Sequence, residues 1–133
     1  DGVPRALPGL TEALKLQEAA GRVGFDWGAV GPVLDKIEEE IGELREAIAA
    51  ANQAEAAGEL GDVIFALANL GRHLKTDPEN ALRGTNTKFR NRFAHVERRL
   101  AETGKTPEQS DLEEMDGLWD EAKSLGIGKD KPA

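Results

Sequence analysis

The chain has no cysteine and no tyrosine, and aromatic residues make up only 5% of its 133 positions. Without cysteine there is no disulfide and no thiolate metal site. Alternating runs of β-branched and aromatic residues are missing too, which argues against strands. No apolar run reaches the length of a membrane span and no signal peptide is visible, so a cytoplasmic protein is expected, with no membrane partner. Positive charge is also short: 25 acidic against 17 basic residues leave a formal net charge of −8. A chain of that sign has nothing global to attract nucleic-acid backbones, and no nucleic-acid partner is expected. No Ser-His-Asp set, P-loop or glycine-rich dinucleotide turn can be assembled. His73 and His95 stand apart, without metal-ligand spacing, and read as structural or surface residues. The chain begins at Asp1 with no initiator methionine, as a trimmed chain or one domain of a longer protein would.

What is present is helical. Hydrophobic residues at 39% and charged residues at 32% fit a soluble, helix-rich protein, and the length suits a single domain over residues 1–133. An amphipathic segment from about Gly9 to Ala20 is broken by "GRVGFDWGAVGP", a loop anchored by Phe25 and Trp27. Pro32 suits the first turn of a second helix reaching about Ala51. "ANQAEAAG" is an ambiguous link before a third helix over about Gly58 to Leu74. In "TDPENA" Asp77 can cap and Pro78 fits the first turn of a fourth helix, which ends near Ala101. "GKTPEQSD" reads as a loop, and Ser110 with Glu113 as a capping box for a last helix through about Leu125. The expected fold is all-α, an antiparallel helical bundle ordered over about residues 9–125, with a frayed tail at 126–133.

Acidic residues lie beside the apolar seams of this bundle. In the second helix Val30, Leu34, Ile37, Ile41, Leu44 and Ile48 recur at steps of four and three. Glu40 and Glu43 fall about 70° and 130° to one side of that seam. In the third helix Leu60, Ile64, Leu67 and Leu74 mark the seam, with Val63 and Leu70 beside it. There Glu59 and Asp62 fall about 80° and 140° to the same side. Across two antiparallel helices, flanks of the same hand end on one edge, so Glu40, Glu43, Glu59 and Asp62 can converge. Such charges repel unless a cation lies between them, and all-oxygen ligands suit Mg²⁺ or Mn²⁺. A single E-x-x-E pair reads as a solvated face; two pairs in the same phase on consecutive helices favour the metal.

The fourth helix carries a basic block, "TKFRNRFAHVERR", in which Lys88 and Arg92 flank a seam of Leu82, Asn86, Phe89, Phe93, Val96 and Leu100. Alone the block reads as solubility and i,i+4 pairing with acids, although an arginine and a lysine on one face can also hold phosphate oxygens. Asn86, an amide on an apolar seam, either sets register or binds a ligand. Trp119 and Lys123 are four apart on the last helix. The tryptophan serves as packing, or as a base-stacking surface if a nucleotide binds.

Taken together, "EEIGE" at 39–43, fifteen residues, then "ELGD" at 59–62 resembles the E-E-x-x-E…E-x-x-D motif of the all-α nucleoside triphosphate pyrophosphohydrolases. More specifically it is similar to the MazG family. "VGFDW" at 23–27, "GPVLDKIEEE" at 31–40, "LGDVIFALANLGRHL" at 60–74, "ALRGTNTKFRNRFAHVE" at 81–97 and "DLEEMDGLWDEAK" at 111–123 also look like stretches of the C-terminal catalytic domain of such proteins.

The resemblance implies Mg²⁺ ligands at Glu40, Glu43, Glu59 and Asp62, with Glu39 completing the motif. It implies phosphate contacts at Lys88 and Arg92 and nucleotide contacts at Trp119 and Lys123, on a scaffold that forms a homodimer or higher homo-oligomer. The implied activity is hydrolysis of nucleoside triphosphates to monophosphate and pyrophosphate, as nucleotide-pool house-cleaning. Water would attack the α-phosphorus, oriented or deprotonated by Glu39 or Glu40, while Lys88, Arg92 and Lys123 neutralise the leaving group. Asn86 remains a candidate substrate contact. The chain departs from some relatives at Gly58, where they carry an acid, and in "ANQAEAAG", where they carry a lysine and this chain has Glu55. The alternatives are a narrower dUTP, dCTP or phosphoribosyl-ATP pyrophosphatase on the same scaffold, and a non-catalytic helical interaction module.

Overall fold

Glycine, proline and side-chain caps divide the described residues into five α-helices: α1 Gly9–Arg22, α2 Val30–Ala49, α3 Gln53–His73, α4 Pro78–Glu102 and α5 Leu112–Ser124. A 3₁₀ turn, Pro107–Gln109, precedes α5. The structure, a computed structural model, describes residues 2–4, 6–26 and 28–128. Among them there is no strand, so the all-α class expected from the sequence holds. No described helix is long and apolar enough to cross a membrane. Trp27, expected to anchor the glycine-rich loop, lies outside the described residues, and its neighbour Phe25 is exposed.

Side-chain caps start three of the described helices, α3, α4 and α5. Asn52 Oδ1 accepts from the Glu55 amide at 3.1 Å while Asn52 Nδ2 donates to the Glu55 carboxylate at 3.1 Å. This reciprocal cap starts α3 at Gln53, so the stretch read as an ambiguous link is helix, and Gly58 lies inside α3, where it costs about 1 kcal/mol against alanine. Asp77 Oδ1 accepts from the Glu79 amide at 2.9 Å, as expected for α4. The cap of α5 is Asp111, which accepts from the Glu114 amide at 2.8 Å, and not Ser110, whose hydroxyl donates to the Glu114 carboxylate.

The chain falls into two compact units, Asp1–Ala81 and Leu82–Ala133. In the first, α2 and α3 form an antiparallel hairpin and α1 packs on α3. The Gln17 side-chain amide, buried on α1, donates to the Phe65 carbonyl of α3 at 2.8 Å. Val33 and Ile37 of α2 pack with Ala66 and Leu70 of α3. Gly71 admits the next loop closely, since a Cβ there would meet the Thr76 carbonyl at 3.0 Å.

The seams differ from those expected. On α2 the buried residues are Val33, Ile37, Glu40 and Ala47, and on α3 Val63, Ala66, Ala68 and Asn69. Leu34, Ile41 and Ile48, and Leu60, Ile64, Leu67 and Leu74, are 40–63% exposed. Ile37 is buried as the seam predicts and packs with Val33, Ala66 and Leu70 between α2 and α3, while the other large aliphatic residues named above stay at the surface of the chain.

In the second unit the C-terminal part of α4 buries Val96 and Leu100, and α5 buries Ala122. Leu82, Asn86 and Phe89, at the other end of the expected α4 seam, are exposed. Of the stretch 126–133, residues 126–128 are described, and the Ile127 carbonyl accepts from Arg92 Nε at 2.9 Å.

Candidate functional site

Glu40 and Glu43 lie one helical turn apart on α2, and Glu59 faces them from the first half of α3. Each offers a carboxylate oxygen, and these oxygens lie within 4.8 Å of one another. Glu40 is only 7% exposed, while Glu43 and Glu59 are half-buried. Glu40 Oε2 and Glu59 Oε2 are buried without a hydrogen-bond partner. Ionised carboxylates only accept, so neither oxygen can satisfy the other until a proton or a cation enters between them.

Ionisation reflects that geometry. Burial, and then the neighbouring Glu43 and Glu40, push the Glu59 carboxyl up to about 7. Glu40 moves the other way, below the usual carboxylate range, because Lys36 Nζ bonds its Oε1 at 3.0 Å. That lysine also reaches Glu39 at 3.8 Å. Lys36 escaped the sequence reading, although its i,i+4 spacing to Glu40 was visible.

The expected fourth ligand, Asp62, is exposed and does not join the three clustered oxygens. It lines the adjoining cavity, about 220 Å³ in volume, with Lys36, Glu40, Val33, Phe65, Ala66 and Asn69. Glu39 is exposed.

In the second unit, Arg92 stacks on Trp119, its guanidinium carbon 5.7 Å from the ring centroid. Phe89 packs against the same tryptophan with centroids 5.2 Å apart. Arg92 Nε donates to the Ile127 carbonyl, and among the described residues its Nη edge meets no acceptor. Lys88 lies one turn back on α4. Gly128 passes so close that a Cβ would come within 2.8 Å of Lys88 Cγ, and its φ of +80° also favours glycine. Asn86 and Lys123 are exposed. His95 is a structural residue, as expected: Arg98 donates to its Nδ1 at 2.7 Å, so Nε2 carries the proton and donates to Glu121 at 2.9 Å.

A family model described as the MazG nucleotide pyrophosphohydrolase domain matches residues 32–97. The Escherichia coli K12 protein named nucleoside triphosphate pyrophosphohydrolase is 45% identical over 131 residues, covering 96% of this chain and 49% of its own. The chain belongs to the MazG family. A Thermotoga maritima relative, nucleoside triphosphate pyrophosphohydrolase/pyrophosphatase MazG, is 41% identical over 88% of this chain and 45% of its own. Bacillus subtilis YabN, named as uncharacterized, is 44% identical over 92% of this chain and 25% of its own. The chain thus spans about half the length, or less, of the curated relatives it matches. The MazG match runs from the start of α2 through most of α4. It takes in every clustered carboxylate together with Asp62, Asn86, Lys88 and Arg92, and stops before Trp119 and Lys123.

Proposed function

We propose that this MazG chain hydrolyses nucleoside triphosphates to the monophosphate and pyrophosphate in a Mg²⁺-dependent reaction, with Mn²⁺ as an alternative metal. The observation that carries the reading is the trio Glu40, Glu43 and Glu59, with its two buried, unpartnered oxygens beside a cavity. An all-oxygen donor set with an unmet need for positive charge fits a hard divalent cation. Glu40, Glu43 and Glu59 would hold the metal, and Asp62, which lines the cavity, would complete the set from its own turn of α3. When bound, the cation supplies charge neutralisation at the phosphate oxygens and acidifies a ligated water.

The remaining roles belong to the chain's own groups. Glu40, kept ionised by Lys36, serves as a ligand. Glu39, exposed and outside the cluster, takes the proton of the water that attacks the α-phosphorus. Lys88, Arg92 and Lys123 answer the charge of the departing pyrophosphate. Trp119, Asn86 and Arg92 contribute to nucleotide binding, with the Nη edge of Arg92 suited to two parallel bonds to phosphate oxygens. House-cleaning of nucleotide pools is the role that such an activity would serve.

A second copy of the chain is the proposed partner. Leu34, Ile41, Ile48, Leu60, Ile64, Leu67 and Leu74 form an exposed aliphatic stripe with helical periodicity on the α2–α3 hairpin, and a self-complementary dimer would remove it from water.

The test is product analysis on a panel of ribo- and deoxynucleoside triphosphates in ¹⁸O-water, with and without Mg²⁺. Metal-dependent pyrophosphate with the label in the monophosphate is expected. Label in pyrophosphate would move the attack to the β-phosphorus, and no release from any nucleotide would overturn the reading.

A further inference from the structure

Asn69 lies in the wall of the cavity that holds Glu40 and Asp62, and it is only 5% exposed. Its side-chain oxygen accepts two hydrogen bonds from Arg72, from Nε at 3.1 Å and from Nη2 at 2.9 Å. Arg72 is itself clamped by Asp26, through Nη1 to Oδ2 at 3.1 Å and Nη2 to Oδ1 at 2.7 Å. His73 Nε2 closes the group at 3.2 Å from Asp26 Oδ1.

This relay fixes the polarity of the amide. A 180° flip of Asn69 would turn its NH₂ toward a guanidinium, donor against donor, and forfeit both bonds. The orientation that remains leaves Nδ2 without an acceptor among the described residues. Among the described residues the buried side-chain atoms that lack a partner are Gln17 Oε1, Glu40 Oε2 and Glu59 Oε2, so Nδ2 is not sealed in protein; Asn69 borders this cavity and a second one on the side of Gln17 and Arg72. Around the first stand Val33, Phe65 and Ala66, apolar walls suited to a flat ring, while the charged groups Lys36, Glu40 and Asp62 line the same cavity.

We propose that Asn69 is a specificity-determining residue, donating from Nδ2 to a carbonyl oxygen on the edge of the nucleobase. Arg72 and Asp26 are positioning residues that hold it as a donor. The inference rests on the nucleotide reading of the carboxylate site and adds a preference to it: bases with a keto group at that edge are favoured over their amino counterparts. An amino group there would set donor against donor in a buried site, and the unmade bond gives a discrimination of about ten- to a hundredfold.

The experiment compares UTP with CTP and GTP with ATP, by kcat/KM and by calorimetric binding in the presence of Mg²⁺. Wild type is expected to favour UTP and GTP. Asn69→Leu should erase that preference, with the rise in KM falling on the keto nucleotides more than on CTP and ATP. Arg72→Gln should release the amide to flip and improve CTP and ATP relative to wild type, a gain that general destabilisation does not produce. Melting temperatures identify variants that fail to fold. Equal use and equal binding of all four nucleotides by wild type would overturn the role of Asn69, as would a uniform loss in Asn69→Leu with no gain in Arg72→Gln. Base-selective binding without pyrophosphate release would instead count against the proposed reaction and leave the donor assignment standing.

Discussion

Glu59 in the first unit and Glu121 in the second are both carboxylates on helices that pack against a neighbour, yet their surroundings oppose each other. Glu121 Oε1 receives Arg99 Nε at 2.8 Å and His95 Nε2 at 2.9 Å, and these bonds hold its carboxyl below the ordinary range. Glu59 faces Glu43 and Glu40, its Oε2 is buried without a partner, and its carboxyl is pushed up to about 7. A carboxylate answered by the protein's own cations serves structure. One left among other acids invites a cation from outside, and it is retained at a cost to the fold.

Substitutions break this comparison in graded ways. The largest effect is expected from Glu43→Ala, where pyrophosphate release should fall to background while far-ultraviolet circular dichroism and melting temperature are retained. In the second unit a loss should instead fall on the fold. Leu100 is 1% exposed, so Leu100→Ala should cost about 2–5 kcal/mol in chemical denaturation.

A smaller, conditional effect concerns pH. The proton on Glu59 is bound more tightly in the folded than in the unfolded chain, so its contribution to stability is full below about 4.5 and is lost as pH rises to about 7. Glu121 has the opposite sign: its contribution is present above its ordinary value of 4.5 and fades as pH falls below it. Metal-free Glu59→Gln should therefore melt higher than wild type above pH 7, with a flatter profile between pH 4.5 and 7. Glu121→Gln should melt lower at neutral pH and converge with wild type in acid. Identical profiles for Glu59→Gln and wild type would remove the crowding inferred at Glu59.

Much of this was legible before any coordinates. Helical periodicity and capping residues imply an all-α chain because both act locally, and the flank positions of Glu40, Glu43 and Glu59 follow from helix geometry alone. On α2 the periodicity finds Ile37 but misses Val33 and Ala47, which are buried while Leu34 and Ile48 are exposed. Periodicity marks apolar stripes without saying whether the same chain or another molecule covers them. Lys36 was within reach as an i,i+4 partner of Glu40. Asn69 was not, because an amide inside "FALANL" carries no signal until Arg72, Asp26 and the cavity stand around it. Asp62 fits the motif spacing but projects to the cavity beside the trio, a distinction set by the way α2 and α3 pack.

The most direct test is calorimetric titration of the metal-free protein with Mg²⁺ and Mn²⁺ near pH 7, in buffers of different ionisation enthalpy, for wild type, Glu43→Gln and Glu59→Gln. Expected is saturable binding by wild type with release of a proton from Glu59, and its loss or severe weakening in both variants. Absence of binding by wild type, or equal binding by all three proteins, would contradict the assignment of Glu40, Glu43 and Glu59 as a metal site.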